Sequence, residues 1–270
     1  MNDTYIVTAY SVIDDLLKAH GYTDDVRATI SAAEILTVAV VAAKYFQNHH
    51  ERALCILIKL GDIPPLSVSR FNRRLHALSD WLLGIVTLLG ELFAAGEVFI
   101  IDSMPVPVCK RARARRCKTV RGKIYCGYCA AKREKFFGWR LHLICTAEGI
   151  PVAFDLLPAS LHDLTPLHEL TVHLPQDATV FGDKGYISAP DAQTILDECG
   201  VRIVSVRRKN MPPNSWADDF DLRPYRKRIE TVYSPMEKMG IQSLHARTNL
   251  GFDLKAWASL LALAFTNIID

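Results

Sequence analysis

A short apolar run that ends on a carboxylate constrains the fold of this chain more than any other stretch. Residues 99–101 are Phe-Ile-Ile, which predicts a buried strand, and Asp102 and Ser103 follow directly. A buried strand has no structural use for an aspartate at its end, so the carboxylate needs a partner, commonly a metal ion or another ionisable group. We therefore expect the chain to supply further carboxylates that the fold brings to this point.

Positive charge is concentrated in one segment. The 270 residues include 32 Lys or Arg and 29 Asp or Glu, a formal net charge of +3. Residues 109–140 contain twelve Lys or Arg and a single acid, Glu134, whereas residues 1–95 are slightly acidic. Charge of one sign at this density is costly to hold together without a polyanion, which favours a nucleic-acid contact. A solvated basic loop is the alternative interpretation.

Composition and cysteine usage exclude several classes of protein. Half of the residues are hydrophobic and 23% are charged, which is typical of a soluble globular protein. We find no signal peptide and no apolar run that we judge long enough for a bilayer, so we expect a cytoplasmic protein with no membrane partner. Seven cysteines argue against a disulfide framework. Cys126 and Cys129, with Cys109 and Cys117, could hold zinc, but their irregular spacing favours reduced cysteines.

Residues 1–95 predict an all-helical N-terminal domain. Ser31 and Glu34 form a capping-box pattern at the start of one helix, and a second helix covers 51–60. A Gly-Pro break follows, and a long helix then runs from Ser67 or Ser69 to about residue 95. Its first turns carry three arginines, which makes the pair resemble a helix-turn-helix that contacts DNA through Arg70, Arg73 and Arg74. An ordinary helical hairpin fits the same pattern.

From residue 97 the pattern changes to strands. Three strands come first and then strands alternate with helices, which predicts an α/β domain over 96–270 with a mixed five-stranded sheet flanked by helices. Asp102 follows the first strand and Asp183 follows the fourth, at residues 178–181. Glu230 lies on a helix after the fifth strand, a helix that Pro235 should interrupt soon afterwards. The three acids thus stand at comparable points of the topology.

Three carboxylates held near one another cannot all remain ionised without a cation. Oxygen ligands alone favour Mg²⁺ or Mn²⁺. Two such ions, about 3.5–4 Å apart, form the site that many enzymes use for in-line displacement at phosphodiesters. An aspartate at a strand end often caps a turn or helix instead, so each acid by itself is weak evidence.

Several motifs along nearly the whole chain resemble DDE transposases of bacterial insertion sequences, and within them the 982 group. The motifs are LSVSRFNRRLH (66–76), IDSMPVPVC (101–109), GYCAAK (127–132), LPASLHD (157–163), GDKGY (182–186) and RIET (228–231). The resemblance implies an RNase H-like catalytic domain in which Asp102, Asp183 and Glu230 are the catalytic acids and hold two Mg²⁺ ions. It also implies cleavage at element ends, joining of a free 3′-hydroxyl to target DNA, and at least a homodimer on DNA.

Further residues are assigned on the same basis. His162 and Asp163 are candidates for orienting a metal ligand or a water, with a structural turn as the alternative. Contacts to DNA phosphates are expected from cations outside the N-terminal domain, namely Lys110, Arg111, Arg113, Arg115, Arg116, Lys132, Arg133, Lys184, Arg207, Arg208, Arg226 and Arg228. The alternatives are an RNase H-fold nuclease without strand transfer, a decayed transposase that only binds DNA, and a zinc-dependent binding module.

Overall fold

The computed structural model describes residues 1–130 and 132–269, and at Glu230 it describes the backbone without the side chain. The chain divides into a helical unit, residues 1–88 with 235–270, and a sheet unit, residues 89–234. The α-helices are α1 Asp3–Ala19, α2 Ala32–Phe46, α3 His50–Leu60, α4 Val68–Ala77, α5 Ser79–Phe93, α6 Leu167–Thr171, α7 Ala189–Cys199, α8 Trp216–Leu222, α9 Arg226–Thr231, α10 Ser234–Lys238 and α11 Asn249–Ile269. The strands are β1 Val98–Lys110, β2 Cys126–Cys129, β3 Glu134–Thr146, β4 Pro151–Pro158, β5 Thr179–Gly182 and β6 Arg202–Ser205.

Local signals define α2 and α3 as expected. The side chain of Ser31 accepts a hydrogen bond from the Glu34 backbone, and the Glu34 carboxylate accepts one from the Ser31 backbone. This reciprocal capping box satisfies two N–H groups that the helix leaves unpaired. Gly61 ends α3 with a φ of 85°, a conformation in which glycine carries no steric penalty.

The predicted long helix from residue 67 to about 95 is in fact two helices. It breaks at Leu78, and α4 and α5 meet there at an angle of 59°. Leu75, Leu78 and Leu82 are all buried, so the apolar period continues across the break. The prediction was wrong because periodicity reports which positions are buried and gives no signal when the axis bends.

The C-terminal helix α11 is part of the helical unit. Tyr5 donates a hydrogen bond to the Ala262 carbonyl at 3.1 Å, and Lys44 donates to Thr266 Oγ1 at 2.7 Å. At 21 residues, α11 is long and apolar enough to span a bilayer, so our statement about apolar runs was wrong on length. Most of its apolar residues are buried inside the unit, as in the core helix of a soluble protein. The division of the chain therefore differs from the predicted boundary between residues 95 and 96.

The sheet unit contains six strands among the described residues, one more than predicted. β3 pairs antiparallel with β1, whereas β5 and β6 pair parallel with β1 and with each other. On the other edge of β3, β4 pairs with its later part and β2 with its beginning. β2 is the additional strand, because residues 126–129 of the basic segment pair with the sheet. This mixed sheet flanked by helices is consistent with an RNase H-like DDE domain.

The two faces of the sheet are covered by different helices. Ile100 and Phe181 pack with Ile229 of α9 and Leu222 of α8. The opposite face carries a second cluster in which residues of β1 and β5 pack with α6 and α7, and it contains Phe99, Ile101, Val180, Leu167 and Ile195. Because side chains alternate along a strand, neighbouring residues of β1 are assigned to opposite layers.

A short helix, α8, lies between β6 and α9. Ser215 caps this helix by accepting a hydrogen bond from the Asp218 backbone at 3.1 Å. Leu222 is fully buried against the sheet, so tertiary packing stabilises a helix that is too short to be stable by itself.

Candidate active site

Asp102 and Asp183 follow the last residue pair of a parallel ladder. β1 and β5 pair from Val98 with Thr179 to Ile101 with Gly182, so the next residue on each strand is an aspartate. Neighbouring strands lie about 4.8 Å apart, which places the two backbones side by side. The pairing ends here but β1 itself does not, because it continues along β3 to Lys110. The prediction that the first strand ends at Asp102 was therefore wrong.

Both aspartates belong to the sheet face that α9 covers. Asp102 lies two residues after Ile100, and Asp183 lies two residues after Phe181, and both of these apolar residues pack against α9. Strand alternation assigns Asp102 to this face. Asp183 is exposed and Asp102 is half-buried, so the pair lies at the border between core and solvent.

The electrostatics of Asp102 favour a bound cation. The pKa of this carboxyl is raised to about 8, chiefly by burial and also by the carboxylates of Asp183 and Asp163, while the Ser103 N–H and Arg140 oppose the rise. A divalent cation between the carboxylates would reverse this effect. The donor set, two carboxylates with hard oxygen atoms, fits Mg²⁺ or Mn²⁺. Among the described residues, no three His, Cys, Asp or Glu side chains form a ready metal cluster.

A polar network extends from Ser103 and contains Asp163. Ser103 Oγ donates to Asp163 Oδ1 at 2.9 Å, and Arg140 Nη1 lies 3.2 Å from that hydroxyl and 3.5 Å from the carboxylate. His142 Nδ1 lies 3.9 Å from Asp163, and its ring is fully buried. Burial lowers the pKa of His142 to about 4, against the attraction of Asp163. Asp163 therefore connects the segment after β4 to the residue that follows Asp102.

The turn after Asp183 is shaped by Asp163. A Cβ on Gly185 would lie 2.7 Å from Asp163 Oδ2, so only glycine leaves room for the carboxylate. Tyr186, the last residue of the GDKGY motif, is buried, and its hydroxyl lies 3.3 Å from His142 Nδ1. Burial raises the pKa of Tyr186 well above its usual value. The two aspartate-bearing segments are thus linked through one network.

Helix α9 is fixed on the aspartate side of the sheet by the residues that flank Glu230. Ile229 is buried against the sheet, and the hydroxyl of Tyr233 donates to the backbone carbonyl of Asp102. α9 ends at Thr231 and α10 begins at Ser234, as the position of Pro235 led us to expect. The side chain of Glu230 lies outside the described residues, so its assignment remains a prediction.

The other predicted side chains fall into different environments. His162 is exposed, and its Nδ1 accepts a hydrogen bond from the Leu164 N–H at 3.3 Å, as in a structural turn. Arg74 pairs with Asp24 at 3.0 Å and donates to the Ile30 carbonyl, which holds the arginine within the helical unit. Arg226 pairs with Asp219. Arg228 is half-buried near Cys145, and its charge opposes the rise that burial causes in the pKa of that thiol.

Most of the remaining predicted cations are solvent-exposed. Lys110 lies 3.6 Å from Glu134, a contact that contributes little at the surface. The exposed set comprises Arg70, Arg73, Lys110, Arg111, Arg113, Arg115, Arg116, Lys132, Arg133, Lys184, Arg207 and Arg208. Among them Arg207 donates to Asn214 Oδ1 at 2.7 Å.

The basic segment is anchored to the sheet. Its arginines at 111–116 form a 3₁₀ helix with no buried residue, and β2 then pairs with β3. Tyr125 packs edge-on against Trp139, with ring centroids 4.9 Å apart, and the Ser160 N–H donates to the Ile124 carbonyl. The later part of the segment is therefore held to the sheet, and its exposed cations fit both a DNA contact and a solvated surface.

The four candidate zinc cysteines are not gathered by the described residues. Cys109 and Cys117 contact each other, and burial together with this contact raises the pKa of Cys109. Cys126 is two strands away from Cys109, with Phe137 between them. Cys126 and Cys129 are three residues apart on β2, which places them on opposite faces.

Sequence reasoning missed Ser103, Arg140, His142, Gly185 and Tyr233 as parts of the site. Arg140 and His142 alternate with apolar residues in β3, a pattern that normally assigns polar side chains to solvent. His142 instead faces the buried layer that Ser103 and Asp163 occupy. The available sequence signal was that an arginine and a histidine stand two residues apart in a strand otherwise rich in apolar residues.

A comparison with known protein families finds a match over most of the sheet unit and part of the helical unit. The family described as "Transposase DDE domain" matches residues 94–265, which covers all six strands and most of α11. No curated protein matches the chain, and no solved structure matches it. The family match covers more than half of the sequence and includes the paired aspartates at the end of the parallel ladder. The chain therefore belongs to the transposase DDE domain family.

Proposed function

We propose that the protein is the transposase of an insertion sequence of the 982 group, which cuts DNA at the element ends and joins the free 3′-hydroxyl to target DNA. One observation carries the proposal: Asp102 and Asp183 directly follow paired residues of adjacent parallel strands, Ile101 and Gly182. Membership of the family supports a transposase in general.

In this proposal Asp102 and Asp183 hold the metal ions, and Glu230 completes the set of carboxylates. When bound, Mg²⁺ or Mn²⁺ would supply an activated oxygen nucleophile and stabilise charge on the leaving oxygen. The protein's part is to hold the two aspartates in place. The parallel ladder fixes their backbones, and Tyr233, between α9 and α10, donates a hydrogen bond to the Asp102 carbonyl. The position of Ile229 keeps the backbone of Glu230 on the same side of the sheet.

Asp163 acts in this proposal as a positioning residue. It binds Ser103 and Arg140 next to Asp102, and it occupies the space beside Gly185 next to Asp183. A carboxylate that braces both aspartate-bearing segments limits the freedom of the metal ligands, and such supporting contacts typically change activity by about 10–100-fold. His162 has no comparable contact and serves the turn.

The exposed cations of residues 109–140, together with Lys184, Arg207 and Arg208, would hold the DNA backbone. Such contacts position DNA without reading its sequence. Two element ends require two active sites, so we propose a homodimer on DNA. A cytoplasmic location is part of the same proposal.

A cleavage and joining assay tests the proposal. The substrate is a plasmid that carries the gene with its flanking DNA, with target plasmid and Mg²⁺ added. We expect nicks at the element ends and joined products, and we expect Asp102→Asn and Asp183→Asn to abolish both while DNA binding remains. The control is Asp197→Asn, because Asp197 is exposed on α7 and, among the described residues, accepts a side-chain hydrogen bond only from Gln193.

Each alternative function predicts a different result. A nuclease of the same fold would cut without joined products, and a decayed transposase would bind DNA without Mg²⁺-dependent cutting. A zinc-dependent module would retain zinc on purification. Cleavage that survives Asp102→Asn would overturn the assignment of the site.

A further inference from the structure

The helical unit contains a groove rich in histidine and other basic residues, which the proposed function does not use. It lies between the start of α3, one face of α4 and the segment that leads into α11. His49, His50, His76, His245, Arg247 and Lys255 line it. Glu51 is the only acid among the described residues that line the groove.

The basic groups of the groove crowd one another. The rings of His49 and His245 lie 6.3 Å apart, and Lys255 donates to the carbonyls of His245 and Asn48. The pKa of His50 is lowered to about 4, chiefly by burial and also by the neighbouring Lys255 and His76. At neutral pH the groove carries two cations, Arg247 and Lys255, against the single acid Glu51, and the neutral histidines add ring N–H donors, so the lining suits an anion.

The start of α11 adds to the positive potential of the groove. Thr248 lines the groove and caps the helix, since its Oγ1 accepts the Gly251 N–H at 3.0 Å. The first N–H groups of a 21-residue helix carry a partial positive charge and bind phosphate readily. Arg247, one residue earlier, is exposed and makes no ion pair with the described residues. A flexible cation is thus available beside the helix end.

The arginine face of α4 is separate from this groove. Arg27, Arg70, Arg73 and Arg74 line a different depression, together with Asp24 and Asp25. Arg74 is paired with Asp24, and Arg27 is paired with Asp25. The two acids lower the attraction of that face for phosphate, and a contact there would be independent of one in the groove.

We infer that the groove lined by His49, His76, Arg247 and the start of α11 binds backbone phosphate of duplex DNA. This inference rests on the proposed function for the identity of the ligand. It gives the helical unit a DNA contact that lies on the opposite side of α4 from the predicted arginine contact. The groups involved bind phosphate without reading bases, so the groove holds DNA in place and does not select its sequence.

The test measures duplex DNA binding by fluorescence anisotropy over a range of salt concentrations, with full-length protein. We expect Arg247→Gln to weaken binding about 3- to 10-fold and to lower the slope of log affinity against log salt by about 0.9, the value for one lost phosphate contact. Glu51→Gln should tighten binding, because it removes the acid of the groove. Lys59→Gln is the control, since Lys59 is exposed at the far end of α3 and does not line the groove.

The outcomes separate this inference from the proposed function. If Arg247→Gln and Glu51→Gln bind DNA as the unmodified protein does, the groove is not a DNA contact, even where cleavage is normal. If cleavage is absent but both variants shift affinity as expected, the groove contact holds and the transposase proposal fails. Inorganic phosphate, titrated at constant ionic strength, forms a second arm. If inorganic phosphate binds tightly to the unmodified protein but not to the variants, while duplex DNA binds equally to all of them, the groove is a site for a small phosphate ligand.

Discussion

At the scale of single residues, the site depends on how neighbouring side chains share one carboxylate. Asp163 accepts the Ser103 hydroxyl and faces both Arg140 and His142. It also fills the space that Gly185 leaves. Asp163 thus contacts both segments that carry the paired aspartates, so the geometry of the site is expected to be sensitive to its charge.

We expect Asp163→Asn to lower the rate of DNA cleavage by about 10–100-fold, because the weaker contact with Arg140 loosens the support of Asp102 and Asp183. The assay is single-turnover cleavage at several Mg²⁺ concentrations. A positioning role predicts partial recovery at high Mg²⁺, whereas DNA affinity should not change. A cleavage rate equal to that of the control variant Asp197→Asn would contradict the positioning role of Asp163.

His50 should make the helical unit less stable in acid. Its pKa is lowered from 6.5 to about 4 in the folded protein, chiefly by burial. Since the unfolded chain then binds a proton that the folded chain does not, stability is highest above pH 6.5 and falls as the pH drops towards 4. His50 is half-buried, so we expect a loss of only about 1 kcal/mol.

The measurement is urea unfolding at pH 7 and pH 5. His50→Gln should reduce the difference in unfolding free energy between the two pH values by about that amount. His20→Gln, at an exposed position, is the control. An unchanged difference in His50→Gln would show that this histidine titrates normally in the folded protein.

At the scale of elements, β1 forms two different ladders along its length. Its first half is paired on both sides, with β3 and β5, and its second half only with β3. Pro105 and Pro107 lie in the second half, where the edge facing β5 needs no donor. The register shifts between Pro107 and Cys109, opposite Gly138 and Phe137. Glycine is required there because a Cβ would lie 2.6 Å from the Val108 nitrogen.

We expect Gly138→Ala to destabilise the sheet unit by about 1–3 kcal/mol, because the backbone of β1 must move to admit the methyl group. Chemical denaturation followed by circular dichroism measures this effect. Gly96→Ala is the matched control, since its Cβ would meet nothing closer than 3.9 Å. Equal stabilities of the two variants would mean that β1 adjusts at no cost.

At the scale of the whole molecule, the two ends of the chain build one unit and the middle builds the other. α11 supplies a large buried surface to the helical unit, including Phe252, Leu260, Leu261 and Phe265. Asn48 is also buried there, and its side chain donates to Ser259 of α11 at 3.0 Å. The N-terminal helices therefore complete their core only after the last residues have been added.

Truncation after Thr248 should abolish cooperative folding of the helical unit, because the apolar residues of α2 lose the surface that covers them. Hydrogen exchange should then show loss of protection in residues 32–57, while residues 98–104 remain protected. Leu250→Ala, at a site that is 36% exposed, is the control and should preserve protection throughout. Retained protection of α2 in the truncated chain would show that the N-terminal helices fold independently.

Local sequence signals predicted much of the fold. The capping box at Ser31 and the glycine after α7 defined helix ends correctly, and the change from helical to alternating patterns near residue 97 separated helices from sheet. The bend at Leu78, the short helix α8 and the pairing of β2 were not predicted. Each of these depends on contacts with residues distant in sequence, which periodicity does not encode.

The sequence by itself determined that Asp102 follows a buried apolar run, that positive charge is concentrated between residues 109 and 140, and that helices dominate the first 95 residues. The tertiary structure alone decided that Asp102 and Asp183 are neighbours, that His142 is buried beside Asp163, and that α11 joins the N-terminal helices. The physical reason is the distance along the chain over which each kind of interaction acts. Patterns of burial and capping act over a few residues, whereas strand register and core packing join residues separated by most of the chain.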